Sequence, residues 1–169
     1  TYGSQKVEIE RYLQKQFGEY LILRPALIYG SQPGDGTILT NWMKSIEKKE
    51  TSKCAHDFIS SPIHIEDVVE GIIRLMDVGT NGIFHLSGHK PYSRLEIYQT
   101  LLNQVNEYSP VELEPISCSI HDFNLREARP LNVSMKPDKM IKATGVAVRD
   151  LEGVSRIVAR DAYEAQPSE

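Results

Sequence analysis

Tyr2 and Lys6 stand four residues apart in the opening string Tyr2-Gly3-Ser4-Gln5-Lys6. On a helix that spacing puts both side chains on one face, a turn apart. An ammonium beside a phenol stabilises the phenolate and draws its pKa down from about 10 toward the working range of a general acid. Such a phenol can protonate a carbonyl oxygen while a hydride arrives at its carbon. An ordinary solvated helix face carries the same pair, and Tyr-x-x-x-Lys alone is a common string. The spacing needs a context.

The stretch around the pair reads as a helix. Tyr2, Lys6, Ile9, Leu13 and Phe17 follow one another at helical spacing on one face, and Gly18 stops the helix. Tyr20-Leu21-Ile22-Leu23, bounded by Arg24-Pro25, is a short run apolar on both faces, as in a buried parallel strand. A helix followed by such a strand is half of an α/β repeat. Residues 29–36 are dense in turn formers and form a loop. Further helices are expected over 38–49, with Ile38, Trp42 and Ile46 on one face, and over 66–76, with Val68, Val69, Ile72, Ile73 and Met76 as an apolar stripe. Ser93 with Glu96 forms a capping box for a helix to about residue 106. Short strands are expected at 58–59 and 82–86. Residues 108–137 look irregular, Pro137 opens a short helix that ends at Gly145, and a last helix runs over 151–162. These are few strands for a self-standing doubly wound sheet.

Composition removes several function classes. With 19 Lys+Arg against 23 Asp+Glu the net charge is −4, so no general nucleic-acid surface is expected. No apolar run approaches the roughly 20 residues that cross a bilayer, so no membrane partner is expected. The opening Thr1-Tyr2-Gly3 does not read as a signal peptide. It also lacks an initiator Met, which leads to the expectation that the chain is a piece of something larger. Two cysteines, Cys54 and Cys118, are too few for a disulfide framework and fit a reducing, cytoplasmic setting. Cys54, His56, Asp57 and His64 match no structural zinc spacing, so no metal is expected. Gly34-Asp35-Gly36 reads as a turn, not a phosphate loop, since no Lys-Ser/Thr follows it. His85 reads as a core residue of its strand, and Ser4 is not expected to be a nucleophile.

Four strings then recur in a familiar order. They are the Tyr2–Lys6 string, Leu23-Arg24-Pro25-Ala26-Leu27-Ile28-Tyr29-Gly30, His64-Ile65-Glu66-Asp67-Val68, and Gly82-Ile83-Phe84-His85-Leu86-Ser87-Gly88. Together they resemble the C-terminal half of the extended short-chain dehydrogenase/reductases. Asp57-Phe58-Ile59-Ser60-Ser61-Pro62 and Ala128-Arg129-Pro130-Leu131-Asn132 are similar to segments of the dTDP-4-dehydrorhamnose reductase branch, which includes the regulatory beta subunit of methionine adenosyltransferase. The resemblance extends from residue 2 to about 160.

The resemblance implies an α/β fold, the C-terminal part of a Rossmann-like parallel sheet with a small substrate-binding lobe. Residues of about 1–30 and 60–90 would carry the catalytic helix and the last strands. Residues of about 31–59 and 91–165 would form the lobe. Tyr2 would be the catalytic acid, and Lys6 its partner, both also touching the cofactor, NADP or NAD. Pro25, Ala26 and Leu27 would line the nicotinamide pocket. Arg129 would face the nucleotide-sugar substrate, where a guanidinium suits phosphate oxygens; an ion pair with Glu127 or a nearby acid is an equally good reading. The implied activity is reduction of a nucleotide-linked 4-keto-deoxysugar. A sugar-nucleotide epimerase or dehydratase of the same superfamily, or a non-catalytic regulatory subunit, stays open beside it, and a homodimer is compatible with all three.

The sequence departs from that branch in places. Leu27 stands where the reductases usually have Trp, Phe58 and Ser60 replace Gln and Gly, and Val133 replaces Ser. The branch's glycine-rich phosphate loop, first acidic ribose contact and catalytic Ser/Thr all precede the Tyr and are not in this sequence. These residues alone are therefore expected to bind dinucleotide poorly.

Overall fold

The computed structural model describes residues 2–164, with Tyr2 described by its backbone alone. In chain order come α1 (Tyr2–Gln16), β1 (Leu21–Pro25), β2 (Ile28–Tyr29), α2 (Ile38–Glu47), β3 (Lys53–Ala55), β4 (Ile59–Ser60), β5 (Ile63–His64) and α3 (Ile65–Asp77). There follow β6 (Gly82–Leu86), β7 (Tyr92–Ser93), α4 (Arg94–Tyr108), β8 (Ile116–Cys118), a 3-10 turn (Ile120–Asp122), α5 (Asp138–Thr144) and α6 (Leu151–Glu164).

The two apolar runs become neighbours. β1 and β6 pair in parallel, from Leu21 opposite Gly82 to Pro25 opposite Leu86. Asn81 sets this register from outside the ladder: its amide donates to the Gly18 carbonyl at 2.9 Å, and Gly82 N–H donates to the Tyr20 carbonyl at 2.7 Å. Val68 and Leu75 of α3 and Met140 of α5 close over Phe84 and Leu86 of β6 as one core. A second core is helical. Leu39, Met43 and Ile46 of α2 meet Ile97, Leu101 and Val105 of α4 and Val154 and Val158 of α6. Each of these fully buried aliphatic side chains contributes about 1.5–3 kcal/mol. The remaining strand pairs are short: β2 with β5 and β3 with β8 in parallel, and β4 with β7 antiparallel.

Several expectations need correction. Among the described residues eight strands form where three were expected, and β8 and the 3-10 turn lie inside the stretch expected to be irregular. The added strands are two or three residues long, too short to leave an alternation in the sequence. The α3 stripe splits: Val68 is buried, whereas Val69, Ile73 and Met76 are exposed. The helix meets β6 along Val68, Gly71 and Leu75, one step round from the expected face. The α1 stripe is not buried either, with Ile9 and Phe17 exposed. That helix is tied to β1 from another face, through an ion pair between Glu10 and Arg24. Pro137 takes the N-cap of α5 rather than its first turn, and Gly145 ends that helix in the left-handed region at φ 71°.

Candidate functional site

The chain leaving β1 is gripped from both sides. Ala26 N–H donates to the Leu86 carbonyl and the Leu27 carbonyl accepts from Ile63 N–H, each at 2.9 Å. This holds Leu27 just beyond the C-terminal end of a parallel strand, where open α/β sheets bind ligands. Its half-buried side chain opens onto a cleft of about 470 Å³ whose wall includes Asn41, Trp42, Lys53, Arg94 and Phe123.

Each wall is fixed by its own local chemistry. Asp35 accepts from Thr37 N–H at 2.8 Å and from the Thr40 hydroxyl at 2.5 Å, which ties the 31–36 loop to the start of α2. Burial pushes the Asp35 carboxyl up, but these bonds outweigh it and hold it below the usual carboxylate range. A Cβ at position 30 would lie 2.2 Å from Asp35 Oδ2, so glycine is what lets the carboxylate sit there. The α2 wall presents Trp42, braced edge-on by Tyr98 at 5.2 Å. The opposite wall hangs on Asp57, whose carboxylate accepts from the Ser119 hydroxyl at 2.6 Å and from Ile120 N–H at 2.7 Å. Those bonds, Ser119's foremost, lower its pKa and anchor the turn that brings Phe123 to the cleft.

Arg94 opens α4. Ser93 caps that helix, its hydroxyl accepting from Glu96 N–H at 3.1 Å while the Glu96 carboxylate accepts from Ser93 N–H at 2.6 Å. The guanidinium lies over the Phe58 ring, 5.5 Å from its centroid. Its Nη1 is buried without a hydrogen-bond partner. Burial, then the like charge of Arg129, press its pKa down to about 10, still cationic at neutral pH. Arg129 arrives on a segment docked along β4: Ile59 N–H donates to the Leu131 carbonyl at 2.7 Å, and Val133 N–H to the Ile59 carbonyl at 2.9 Å.

The expected site residues are thus partly assembled. Leu27 lines the cleft and Arg129 acts on Arg94, while Lys6, Pro25, Ala26 and Arg129 are not among the lining residues. Lys6 lies exposed on α1, and the Tyr2 side chain lies outside the described residues. Of the positions that depart from the reductases, Leu27 is in the cleft and Phe58 supports Arg94. The sequence reading missed Arg94, Lys53, Trp42 and Phe123 as a group. A faint signal existed for Arg94: no acid stands three or four residues further along α4 to pair with it.

The four residues weighed as metal ligands are spent elsewhere. Cys54 is buried in the helical core, its thiol pushed up to about 12 by that burial. His64 caps α3, with Nδ1 accepting from Glu66 N–H at 3.4 Å, and His56 lies beside the Ser117 hydroxyl. Among the described residues, no three His, Cys, Asp or Glu side chains are grouped to hold a metal ion. His85 is half-buried on β6.

Comparison with known proteins agrees with this architecture. The spore coat polysaccharide biosynthesis protein SpsK of Bacillus subtilis (strain 168) is 24% identical over 148 residues, covering 88% of this chain and 50% of that protein. The crystal structure of dTDP-4-dehydrorhamnose reductase from Bacillus anthracis str. Ames in complex with NADP superposes at TM-score 0.73 with 19% identity, covering 97% of this chain and 54% of that one. UDP-N-acetylglucosamine 4-epimerase from Methanobrevibacter ruminantium M1, in complex with UDP-N-acetylmuramic acid, superposes at TM-score 0.69 with 11% identity, covering 97% and 53%. The likeness to the two solved structures is one of fold, and the chain spans about half the length of the relatives it matches. A family model described as the RmlD substrate binding domain matches residues 1–162. By that match, over nearly its whole length, the chain belongs to the RmlD substrate binding domain family.

Proposed function

We propose that this chain forms the substrate-binding side of an NAD(P)-dependent sugar-nucleotide oxidoreductase, acting in the reduction of a nucleotide-linked 4-keto-deoxysugar. The observation that carries the reading is the cleft at the C-terminal end of β1, where Leu27 shares the lining with Lys53, Arg94, Trp42 and Phe123. Apolar walls with a few placed polar groups suit a small ligand. The fold it shares with a reductase in complex with NADP and an epimerase in complex with a UDP-sugar supports the same reading.

The residues at the end of β1 fit a nicotinamide. With the Ala26 N–H and the Leu27 carbonyl already paired, what this edge offers is apolar side-chain surface, suited to a flat ring and to excluding water. When bound there, the cofactor would supply the hydride. Tyr2 gives its phenolic proton to the carbonyl oxygen of the sugar, and Lys6, one helical turn away, holds the phenol's pKa down and steadies the ribose. Leu27 keeps the reacting carbon dry, and Arg129 takes a phosphate oxygen of the substrate.

The test is turnover of a dTDP-4-keto-deoxysugar with NADPH by the whole protein. Tyr2→Phe should lower kcat by about 10²- to 10⁴-fold with NADPH affinity little changed. Lys6→Met should weaken both. Full activity in the Tyr2→Phe protein overturns the reduction. The epimerase fold in complex with a UDP-sugar keeps a second reading in view, in which the same Tyr2 and Lys6 serve a transient oxidation; an unchanged NADPH concentration during product formation would select it. Leu27 in place of the usual Trp favours a regulatory subunit, which would show a stoichiometric enzyme partner and no turnover.

A further inference from the structure

Arg94 presents a buried guanidinium nitrogen that nothing in the described protein satisfies. Native proteins seldom leave such a group unpaired, because a buried charge without a partner is costly. The neighbours that act on its charge are Arg129, which repels it, and the Cys54 thiol, which offsets little of that. The Phe58 ring covers one face of the guanidinium. Lys53 lines the same cleft, and none of the lining residues is acidic, although the chain as a whole carries −4. A positive pocket has been built into an acidic protein.

The number of cations argues for the kind of anion. One carboxylate would satisfy one guanidinium and leave the repulsion with Arg129 in place. Two guanidinium groups whose charges repel one another, with Lys53 lining the same cleft, suit oxygens spread over two charged centres. Trp42 and Phe123 add flat apolar surfaces in the same cavity, as a nucleobase requires. We propose that Arg94 is a substrate-binding residue which, together with Arg129, holds the diphosphate of a nucleotide-linked ligand. This rests on the sugar-nucleotide reading above and assigns the ligand's charged centre to a residue that reading does not use.

The experiment is titration calorimetry on the whole protein with dTDP and UDP as probes, and with NADPH as a separate ligand. Wild type and Arg94→Met are compared, and their melting temperatures are recorded. The expected result is a loss of nucleoside diphosphate affinity of about 10- to 100-fold in Arg94→Met. NADPH affinity should stay within about twofold, and the melting temperature should be equal or higher, because a repelled cation has been removed. Arg94→Lys should recover part of the affinity, keeping the charge without the fork. Equal dTDP and UDP affinity in wild type and Arg94→Met overturns the role of Arg94 and leaves the sugar-nucleotide reading standing. A lowered melting temperature with parallel loss of NADPH affinity assigns Arg94 to structure and overturns it too. Failure of wild type to bind either diphosphate overturns the sugar-nucleotide reading, and this inference with it.

Discussion

Tyr29 and His64 face each other across the parallel pair of β2 and β5, their rings edge to face at 5.7 Å and 66°. Neither the Tyr29 hydroxyl nor His64 Nε2 has a hydrogen-bond partner, and both are buried. Burial first, then the positive charge of Arg149, hold the His64 pKa below its ordinary value of 6.5, while Asp67, Glu66 and Asp35 pull the other way.

A pH dependence of stability follows. As pH falls below about 6.5 the unfolded chain binds a proton before the folded one does. The contribution of His64 is therefore complete above about pH 6.5 and is lost as pH drops through the lower folded-state value. Urea unfolding at pH 7, 6 and 5 should show a falling midpoint. His64→Asn keeps an N-cap acceptor for Glu66 N–H and should remove that part of the slope. The same slope in both proteins would place the titrating group elsewhere.

Asp67 and Glu66 both meet Arg149, with different consequences. Asp67 is fully buried, pairs with the guanidinium and accepts from Arg149 N–H at 2.8 Å; exposed Glu66 takes the other guanidinium nitrogen at 2.8 Å. Asp67→Asn should cost about 2 kcal/mol, below the figure for a wholly buried pair because Arg149 is partly exposed and can rehydrate. Glu66→Gln should cost less than about 1 kcal/mol. Denaturant midpoints for the two variants decide it, and equal losses would refute the distinction.

Two glycines predict opposite outcomes. A Cβ at Gly88 would lie 2.2 Å from the backbone oxygen of Pro62, so Gly88→Ala must push two backbones apart at the end of β6. A loss of about 1–3 kcal/mol is expected. At Gly71 the nearest atom would be Leu86 Cδ2 at 3.4 Å, an ordinary contact inside a helix. Gly71→Ala should be neutral or stabilising by up to about 1 kcal/mol. Melting curves in the reverse order would show that the α3–β6 contact is tighter than the geometry says.

Glu96→Ala opens half of the capping box at α4 and should lower stability by about 1 kcal/mol. Because Arg94 is the first residue of that helix, the same change should also weaken dTDP binding to a lesser degree than Arg94→Met. Unchanged stability on removing the Glu96 carboxylate would show that the Ser93 hydroxyl alone suffices.

The readable parts of this sequence were those with a strong local signal. The β1 and β6 runs and the Ser93/Glu96 box were visible because short doubly apolar segments and caps are written within a few residues. The strands β2, β5 and β7 were not, since a two-residue strand exists only by virtue of its partner. The α3 stripe misled because Val69 and Ile73 differ from Val68 and Leu75 only in which neighbour they meet. The cleft was half legible. Leu27 came from its string, but Arg94, Lys53 and Phe123 sit on separate elements that converge only in three dimensions.

The register of β1 against β6 also sets a clock for synthesis. Tyr20 and Asn81, the residues that open the ladder, are 61 apart in sequence. At ribosomal speeds of about 5–20 residues per second, β1 is complete roughly 3–12 s before its partner exists. During that interval Leu21, Ile22 and Leu23 form an unpaired parallel edge of the kind that captures other chains. The strand's two closing residues, Arg24 and Pro25, are poor ones for extending such an edge. A nascent chain carrying apolar residues there would be expected to depend more heavily on chaperones, and arrested-ribosome proteolysis before and after residue 86 would reveal the waiting period.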